Sequence, residues 1–445
     1  MICLFVWRAA ADPSPGQPSN LERPHETALI VTPQVIDRYF DIARTNHPRF
    51  KAAEARVAAS RADVESVRTW EDPTFKLGGT VSSPRGANLR EDGDLVYGAE
   101  QKLPLFGKAR FQRKSVEQET RAAQVAAEYQ FQILRRDLSL ALFRAALAQR
   151  ACELGRQDQA QLELWVQNAD QRYAAGGGSQ VEVLRLQNEL TRLRQELVTR
   201  TNELGHQQVT INRLLNRPEL ASLPSFALPA PADPLNYSEA LINLAMRNEP
   251  QLRMLRQEID VAHSRAAVAR RQRFPEFSLG IEGRQFSGDG GFREGTFMLG
   301  MSVPWFNRTS YRKAVQKEER KAEAAFWDAQ DYELGVREEV HLLLVRADAA
   351  RREALTYSSE ILPRSELAVN SAASSWMANR GPFNDVMEGR RMHLEARLGY
   401  ARAIAEQYQA LTELLLCCGL TDLEGLETEP QPSSQPNLKT TPETK

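Results

Sequence analysis

The sequence has few cysteines and histidines and almost no net charge. Its 445 residues include four cysteines and six histidines, and the formal net charge is −1 at pH 7. The cysteines form no C-x-x-C pair and no two histidines are four residues apart, so the spacings typical of zinc sites are absent. A charge this small also argues against a broad basic surface for nucleic acid. We therefore expect no metal site, no cofactor and no nucleic-acid partner.

Long hydrophobic runs and catalytic motifs are also missing. No stretch of about 18 apolar residues exists, which excludes a conventional transmembrane helix and leaves a soluble protein or a β-barrel. There is no H-E-x-x-H and no G-x-S-x-G pattern, and the glycines at 176–178 lack the lysine of a phosphate-binding loop. The sequence therefore predicts a protein that is not an enzyme.

What the sequence does contain is a long internal repeat. "LPLFGK" at 103–108 corresponds to "VPWFNR" at 303–308, and "NHP" at 46–48 corresponds to "NEP" at 248–250. "YAAGGGSQVEVL" from Tyr173 corresponds to "WMANRGPFNDVM" from Trp376. Because order and spacing are kept, the chain is predicted to hold two copies of one design.

Each copy is predicted to contain the same elements in the same order. Copy one, 33–217, has a first helix over about 33–70, a β-hairpin over 73–104, a long helix over 109–172, a tip turn at 174–179 and a return helix. Copy two, 237–420, has a first helix, a β-hairpin over 275–304, a long helix that Pro363 should kink or interrupt, a tip turn at 377–383 and a return helix.

The segments outside the two copies have a different composition. A Pro-rich connector, 218–236, joins the copies. Residues 1–32 are expected to be a disordered N-terminus or the remnant of a signal, and 421–445 a disordered tail rich in Pro, Ser and Thr.

The periodicities favour coiled coils and membrane strands. On the return helix of copy one, Val183, Leu186 and Leu190 begin a series of apolar residues spaced by three and four, which is a coiled-coil seam. In the first strand, Phe75 alternates with polar Lys76, as in a wall with one apolar face. Four such strands cannot close a barrel, so partner chains must complete it, and three chains would supply about 12 strands.

The fold class predicted is mainly α with a small β part. Long coiled-coil hairpins should form an α-barrel, and four strands per chain should contribute to a trimeric, 12-stranded transmembrane β-barrel. At the corners between strand and helix, Pro104 and Pro304 would end the strand ladder, since proline donates no hydrogen bond.

On the paired corners, the two-copy pattern and the "N-x-P" helix starts, the chain resembles the TolC family of trimeric outer-membrane efflux factors, and most closely its cobalt-zinc-cadmium and copper efflux branch. The resemblance covers about residues 33–420. It implies a homotrimer embedded in outer-membrane lipid and extending into the periplasm. It further implies a passive exit duct for heavy-metal cations, working with a periplasmic adaptor and an inner-membrane RND-type pump. The alternative is a soluble periplasmic coiled-coil adaptor or scaffold protein.

The resemblance also implies a gate at the far tip of the tunnel, where helix turns carry acidic residues. Trp376 stands where the family often has tyrosine, and Asp385 and Glu388 match its acidic positions. Glu182 takes the corresponding place in copy one, and Arg380 is near enough in sequence to pair with these carboxylates. The tip turns are predicted at Gly176, Gly177, Gly178 and Gly381.

Two alternatives stay open at these sites. Three-fold symmetry would repeat each tip carboxylate as a ring that favours cations, or the carboxylates are solvated charges that favour a helix N-terminus. The corner aromatics Phe106, Trp305 and Phe306 form a belt at the membrane interface or pack between barrel and helices. For Phe106 and Phe306, packing is the favoured interpretation.

Overall fold

Long helices with almost no glycine or proline dominate the architecture. The computed structural model describes residues 28–81, 93–235, 237–286 and 290–420. Its longest helix, α3 (Lys108–Ala174), has 67 residues and is therefore about 100 Å long. The predicted disorder of residues 1–27 and 421–445 falls outside the described residues.

The elements repeat in order between the two copies. Copy one contains β1 (Leu29–Ile30), α1 (Pro33–Asn46), α2 (Pro48–Ser66), β2 (Thr74–Val81), β3 (Gly93–Leu103), α3 and α4 (Gln180–Leu214). After β4 (Phe226–Ala227), copy two contains α5 (Glu239–Asn248), α6 (Pro250–Gln272), β5 (Phe277–Phe286), β6 (Phe292–Met301), α7 (Arg308–Thr356), α8 (Leu362–Met377) and α9 (Phe383–Cys418).

The first helix of copy one is broken, so the prediction of one helix over 33–70 was wrong. His47 is extended (φ −72°, ψ 129°) because the following Pro48 disfavours helical backbone at the residue before it. His47 then caps α2, with its Nδ1 accepting a hydrogen bond from the Arg49 N–H at 3.1 Å. In copy two, Glu249 does the same before Pro250, and its carboxylate accepts from the Leu252 N–H.

The predicted disorder up to residue 32 was also wrong for the residues described there. Leu29 and Ile30 pair in parallel with Phe226 and Ala227 of the Pro-rich connector. Val31, only 1% exposed, enters the hydrophobic core beside them. A short sheet therefore ties the start of copy one to the connector, and apolar burial of Val31 and Phe226 stabilises it.

Pro363 interrupts the long helix of copy two, as the sequence predicted. α7 ends at Thr356, one π-helical turn covers Tyr357–Ile361, and α8 begins at Leu362. Proline lacks the N–H that would continue the α-helical ladder, and a π-turn shifts the register of the hydrogen bonds. Gly399 on α9 makes room for the bulge, because a Cβ there would lie 2.6 Å from the Tyr357 ring.

The four predicted strands form one antiparallel sheet with the order β2-β3-β5-β6. The two hairpins meet through β3 and β5, where Glu100 pairs with Gly280 and Leu103 with Phe277. Within the part of the chain that the structure describes, β2 and β6 are edge strands with one neighbour each. The sheet is thus an open wall, and its two edges can accept further strands.

The helices pack around α3, which contacts α2 and α4 of its own copy and α6 and α9 of the other. One apolar core lies near the chain start, between α1, α3 and α4, and includes Leu138, Leu142 and Ile211. A second core lies towards the C-terminal end of α3, where α3 and α4 meet α8 and α9. This second core holds the predicted tip in place.

Candidate functional site

The sheet has one apolar and one charged face, and both follow from the alternation of side chains along each strand. Across the sheet, Phe75, Ala99, Ile281 and Phe297 are aligned in register. Phe75 is 79% exposed and Phe297 89% exposed, so the apolar face is uncovered in the single chain. A surface of this kind needs lipid or protein to cover it.

On the opposite face, the charged side chains form ion pairs between strands. Lys76 Nζ lies 2.6 Å from Glu100 Oε2, and Arg284 Nη1 lies 3.1 Å from Glu294 Oε1. Near the hairpin end, Arg293 Nη1 contacts both carboxylate oxygens of Asp94 at 2.8 Å. The cations named here each have a carboxylate partner, so this face is polar without being strongly of one sign.

The two strand-to-helix corners differ in their aromatic contacts. Phe106, in the left-handed region with φ +60°, stacks on Phe274 with ring centroids 5.3 Å apart. Phe306 is 85% exposed and Trp305 54% exposed. In the single chain Phe106 therefore packs against an aromatic ring and Phe306 does not, and the choice between a membrane belt and packing stays a prediction for both corners.

The tip turns use backbone conformations that the sequence motif explains. Gly176 has φ +76°, and Asn379, at the same place in copy two, has φ +56°. Glycine adopts this region freely, and asparagine tolerates it better than most residues. Gly178 and Gly381 are close-approach positions, because a Cβ would lie 3.0 Å from Tyr173 N and 2.9 Å from Ser375 Cβ respectively.

Trp376 joins the two hairpins at the tip. Its side chain is 1% exposed, and its Nε1–H donates to Glu182 Oε2 of the other copy at 3.2 Å. Phe383 packs against it, with ring centroids 5.7 Å apart. Glu182 is in the first turn of α4, so its charge also favours the helix N-terminus. The structure thus brings two of the predicted tip residues into direct contact.

The Arg172 guanidinium lies over the Trp376 ring. Its Cζ lies 4.7 Å from the ring centroid, which is cation–π geometry, and Nη2 donates to Asn379 Oδ1. Its Nε and Nη1 are buried and have no hydrogen-bond partner among the residues that the structure describes. Sequence reasoning did not identify Arg172, which lies one residue before the repeated motif.

Asp385 and Glu388 lie apart from this cluster, on the exposed surface of the first turns of α9. In the described ranges, neither carboxylate forms an ion pair with Arg380, which is itself exposed, so the expected pairing is not present in the single chain. Arg185 reaches α9 instead, with Nη1 donating to Asn384 Oδ1 at 3.0 Å. The gate role of Asp385 and Glu388 stays a prediction.

A buried charge cluster about two turns from the tip was missed by sequence reasoning. Arg390 on α9 is 4% exposed and donates to both oxygens of Asp158 on α3, at 2.8 and 2.7 Å. Its Nη1 also donates to Glu189 Oε1 on α4 at 3.2 Å. Glu189 has two weaker contacts, with Arg391 at 3.6 Å and Arg192 at 3.8 Å. The cluster links α9 of copy two to both long helices of copy one.

A sequence signal for this cluster exists in the coiled-coil spacing. Leu154, Asp158, Leu162 and Trp165 follow one another at intervals of four, four and three on α3. A carboxylate at such a seam position is expected to be buried and therefore to need a cation. The spacing identifies Asp158 but not its partner, which lies 232 residues away.

His393 lies one turn beyond Arg390 and faces α8. Its Nδ1 is 3.0 Å from Ser365 Oγ. Burial lowers the pKa of His393, and the neighbouring Arg397 adds to this, while Glu366 and Asp158 act in the opposite direction. The imidazole is therefore held neutral at a lower pH than an exposed histidine.

Three cysteines in the described part of the chain are buried and free. These are Cys152, Cys417 and Cys418. Burial raises the pKa of the Cys418 thiol to about 12, so its reactive thiolate is suppressed. The described residues contain no group of three or more His, Cys, Asp or Glu side chains that could hold a metal ion.

No helix within the described ranges is both long and apolar enough to cross a membrane.

A known protein family matches both copies of the repeat that organises the fold. The family described as "Outer membrane efflux protein" matches residues 40–217 and 241–420, one range for each copy. The chain belongs to the outer membrane efflux protein family. The resemblance inferred from the corners and tip motif is thereby confirmed, and membership places the chain in the Gram-negative outer membrane, with its helices extending into the periplasm.

One relative among well-characterised proteins of this family is a metal-resistance protein. The cobalt-zinc-cadmium resistance protein CzcC of Cupriavidus metallidurans is 23% identical over 258 residues. This match spans 56% of the present chain and 58% of CzcC, less than two thirds of that relative's length.

Solved structures of outer-membrane proteins share the fold over most of their length. The channel OprN has a TM-score of 0.75 at 19% identity, covering 87% of this chain and 90% of OprN. CusC has a TM-score of 0.75 at 16% identity, covering 93% and 98%. The open state of MtrE from Neisseria gonorrhoeae has a TM-score of 0.71 at 16% identity, covering 87% and 89%. At these identities the likeness establishes the fold.

Proposed function

We propose that this protein is the outer-membrane exit duct of a tripartite efflux system. Three copies close a 12-stranded barrel in the membrane and a helical tunnel across the periplasm. The duct conducts its substrate passively and carries out no chemical step. The family and the solved channels that share the fold support a non-catalytic role.

The open sheet is the observation that carries this proposal. Its apolar face is exposed at Phe75, Leu77 and Phe297, by 79%, 79% and 89% of their surface. Its edges, β2 and β6, each lack a second neighbour among the described strands. Lipid would cover the apolar face, and pairing β6 of one copy with β2 of the next would satisfy the hydrogen-bonding groups of both edge strands.

The number of strands favours three copies over two. Two chains would give eight strands, and the interior of an eight-stranded barrel is just filled by side chains. Three chains give 12 strands and a wider interior, which the paired charges Lys76–Glu100 and Arg284–Glu294 would line. A water-filled bore with polar walls is what a duct requires.

The alternative, a soluble periplasmic adaptor or scaffold, is not favoured by the sheet. An accessory sheet in a soluble protein would cover its apolar face with helices or loops. Here the strand residue Leu299 is 70% exposed, and the helices begin beyond the strand ends rather than across the sheet.

Heavy-metal cations are the substrate class that we propose, with a periplasmic adaptor and an RND-type pump as partners. The support is the name of the relative CzcC, a cobalt-zinc-cadmium resistance protein. The exposed carboxylates of Asp385 and Glu388, repeated three times around an axis, would form an acidic tip that attracts cations. Weak, repeated attraction suits conduction better than a tight site, because bound ions must leave again.

The membrane assignment can be tested with two substitutions on neighbouring residues of β6. Phe297→Asp places a carboxylate on the apolar face, whereas Thr296→Asp places it on the polar face. On the lipid face near the bilayer centre, Arg or Lys costs about 2–4 kcal/mol, and Asp costs less but is still unfavourable. We expect Phe297→Asp to reduce membrane insertion and trimer yield, and Thr296→Asp to leave both unchanged.

The readouts are native mass in detergent and conductance in planar bilayers. Trimeric mass with stable conductance is the expected result for the unmodified protein and for Thr296→Asp. A water-soluble monomer without conductance, or equal tolerance of both substitutions, would overturn the proposal.

A further inference from the structure

The second strand-to-helix corner carries a basic cavity that the duct function does not use. The cavity has a volume of about 710 Å³, within the range of about 300–1,000 Å³ typical of ligand pockets. Three arginines line it: Arg273 at the end of α6, and Arg308 and Arg312 in the first turns of α7. Trp305 and Phe274 supply its aromatic wall.

These three arginines lack an ion-pair partner in the part of the chain that the structure describes. None of Arg273, Arg308 and Arg312 forms an ion pair with any residue in the described ranges. Glu319, the carboxylate that lines the cavity, is already held by Arg270, whose Nη2 lies 2.6 Å from its Oε1. Three cations around a concave surface create a positive potential that attracts an anion.

At the first strand-to-helix corner, the corresponding cation is neutralised by a carboxylate. There Lys108, at the position of Arg308, lies with its Nζ 3.0 Å from Glu276 Oε1. In the repeat, Thr74 corresponds to Glu276. A neighbouring copy packed on the second corner in the same way would bring this threonine, rather than a carboxylate, towards Arg308. Asp72 would come next to Phe306, but its carboxylate is already held by Arg68.

The position of the cavity specifies the kind of anion. It begins three residues after the last residue of β6, Met301, and thus at the periplasmic end of the membrane wall. Phe274, which lines it, stacks on Phe106, and Phe106 contacts Phe277 on the apolar face. The cavity therefore opens on the lipid side, at the level of headgroups. Exposed Trp305 beside it is the residue type enriched at this level.

We propose that this cavity binds the phosphate headgroup of an anionic glycerophospholipid from the periplasmic leaflet. Arg273, Arg308 and Arg312 donate hydrogen bonds to the phosphate oxygens, since guanidinium forks match phosphate geometry. The acyl chains continue along the apolar face past Leu299. The proposal rests on the membrane placement of the strands and not on the substrate of the duct.

The test compares two triple variants with the same change in charge. Arg273→Gln, Arg308→Gln and Arg312→Gln together remove the cavity cations. The control is Arg337→Gln, Arg346→Gln and Arg402→Gln, which replaces three exposed arginines that also form no ion pair in the described part of the chain. Arg337 is about 44 Å along α7 from Arg308 at 1.5 Å per residue.

Native mass spectrometry of the protein with phosphatidylglycerol or phosphatidylcholine gives the readout. We expect phosphatidylglycerol to be retained over phosphatidylcholine by about tenfold or more in the unmodified protein and in the control, and less as ionic strength rises. The cavity variant should retain both lipids equally. Equal retention in the unmodified protein, or an unchanged preference in the cavity variant, would overturn the proposal.

Two further arms separate the remaining outcomes. Displacement of phosphatidylglycerol by inorganic phosphate alone would show a site for free phosphate and would also overturn the lipid assignment. Should the triple variant fail to fold, Arg308→Gln and Arg312→Gln singly are each expected to reduce the preference. Conductance in planar bilayers is measured in parallel. A protein that conducts but shows no lipid preference would overturn the lipid site alone, whereas a protein that does not conduct would overturn the proposed function.

Discussion

The buried cluster around Arg390 gives the sharpest prediction for stability. In Arg390→Met the guanidinium disappears, and the side chain keeps its length and apolar stem. Asp158, 7% exposed, then loses its ion-pair partner, and Glu189 retains only the longer contacts to Arg391 and Arg192. Two buried carboxylates are left near each other in a region that water scarcely reaches.

The magnitude follows from the burial of both partners. Removing one partner of a buried ion pair costs about 3–5 kcal/mol, because the other charge stays uncompensated. At about 2.1 cal/mol/K of unfolding entropy per residue, this free energy corresponds to a fall in the melting temperature of roughly 3–6 °C. Asp158→Leu is expected to cost less, since Arg390 keeps its contact with Glu189.

The assay is thermal melting of the detergent-extracted protein, arranged as a double-mutant cycle. Arg390→Met combined with Asp158→Leu should lose much less than the sum of the single losses, because an apolar pair replaces the ion pair. The control is Arg194→Met. Its Nη2 contacts Glu163 Oε1 at 2.9 Å across α3 and α4, but 56% of the Arg194 side chain is exposed. We expect that control to change the free energy of unfolding by less than about 1 kcal/mol.

Additive losses in the double variant would refute the reasoning, since they would mean that Arg390 and Asp158 act independently. Equal losses in Arg390→Met and Arg194→Met would refute it as well. That result would show that burial does not set the cost of breaking the pair.

The remaining predictions concern the tip and its surroundings. Replacing Asp385 and Glu388 together with alanine should raise single-channel conductance in planar bilayers and sensitivity to large antibiotics, and unchanged conductance would retire the gate assignment. Gly178→Ala should destabilise the tip turn by about 1 kcal/mol or more in thermal melts, because its Cβ would lie 3.0 Å from a backbone nitrogen. Gly205 in α4 has open space around it, so Gly205→Ala should instead stabilise the protein by up to about 1 kcal/mol. Folding lowers the pKa of His393, so as pH falls the unfolded chain binds a proton at this residue before the folded chain does. The free energy of unfolding should therefore decrease as pH drops from above 6.5, the ordinary value, to below the pKa of the folded state. His393→Gln should flatten this part of the pH profile of the melting temperature, and an identical profile would contradict the assignment.

Local chemistry explains why the strands and corners were predictable. The alternation around Phe75 needs only the two-residue period of a strand, and Pro363 interrupts a helix because it lacks an N–H. The glycines of the tip are needed for backbone reasons that act within a few residues. Such features depend on the chain next to them, so a single sequence displays them.

The errors came from residues whose environment is set by distant parts of the chain. Val31 is buried because the connector returns to it: Phe226 pairs with Leu29, two residues before Val31, and both Val31 and Phe226 lie in one apolar core. The break at His47 was misjudged because the alanine-rich helical pattern that follows it hid the effect of Pro48. Whether Phe306 packs as Phe106 does also depends on distant residues, because no ring equivalent to Phe274 faces it within the described chain.

The sequence by itself determined the repeat, the number of strands, the length of the rods and the family, because periodicity and turn residues encode local geometry. Only the tertiary structure decided which polar groups meet: Arg390 with Asp158 and Trp376 with Glu182, while three arginines of the second corner form no ion pair among the described residues. These partners lie on different helices, some 194 and 232 residues apart, and their contact depends on how the rods are aligned. Alignment is a property of packing, which no local pattern of residues fixes.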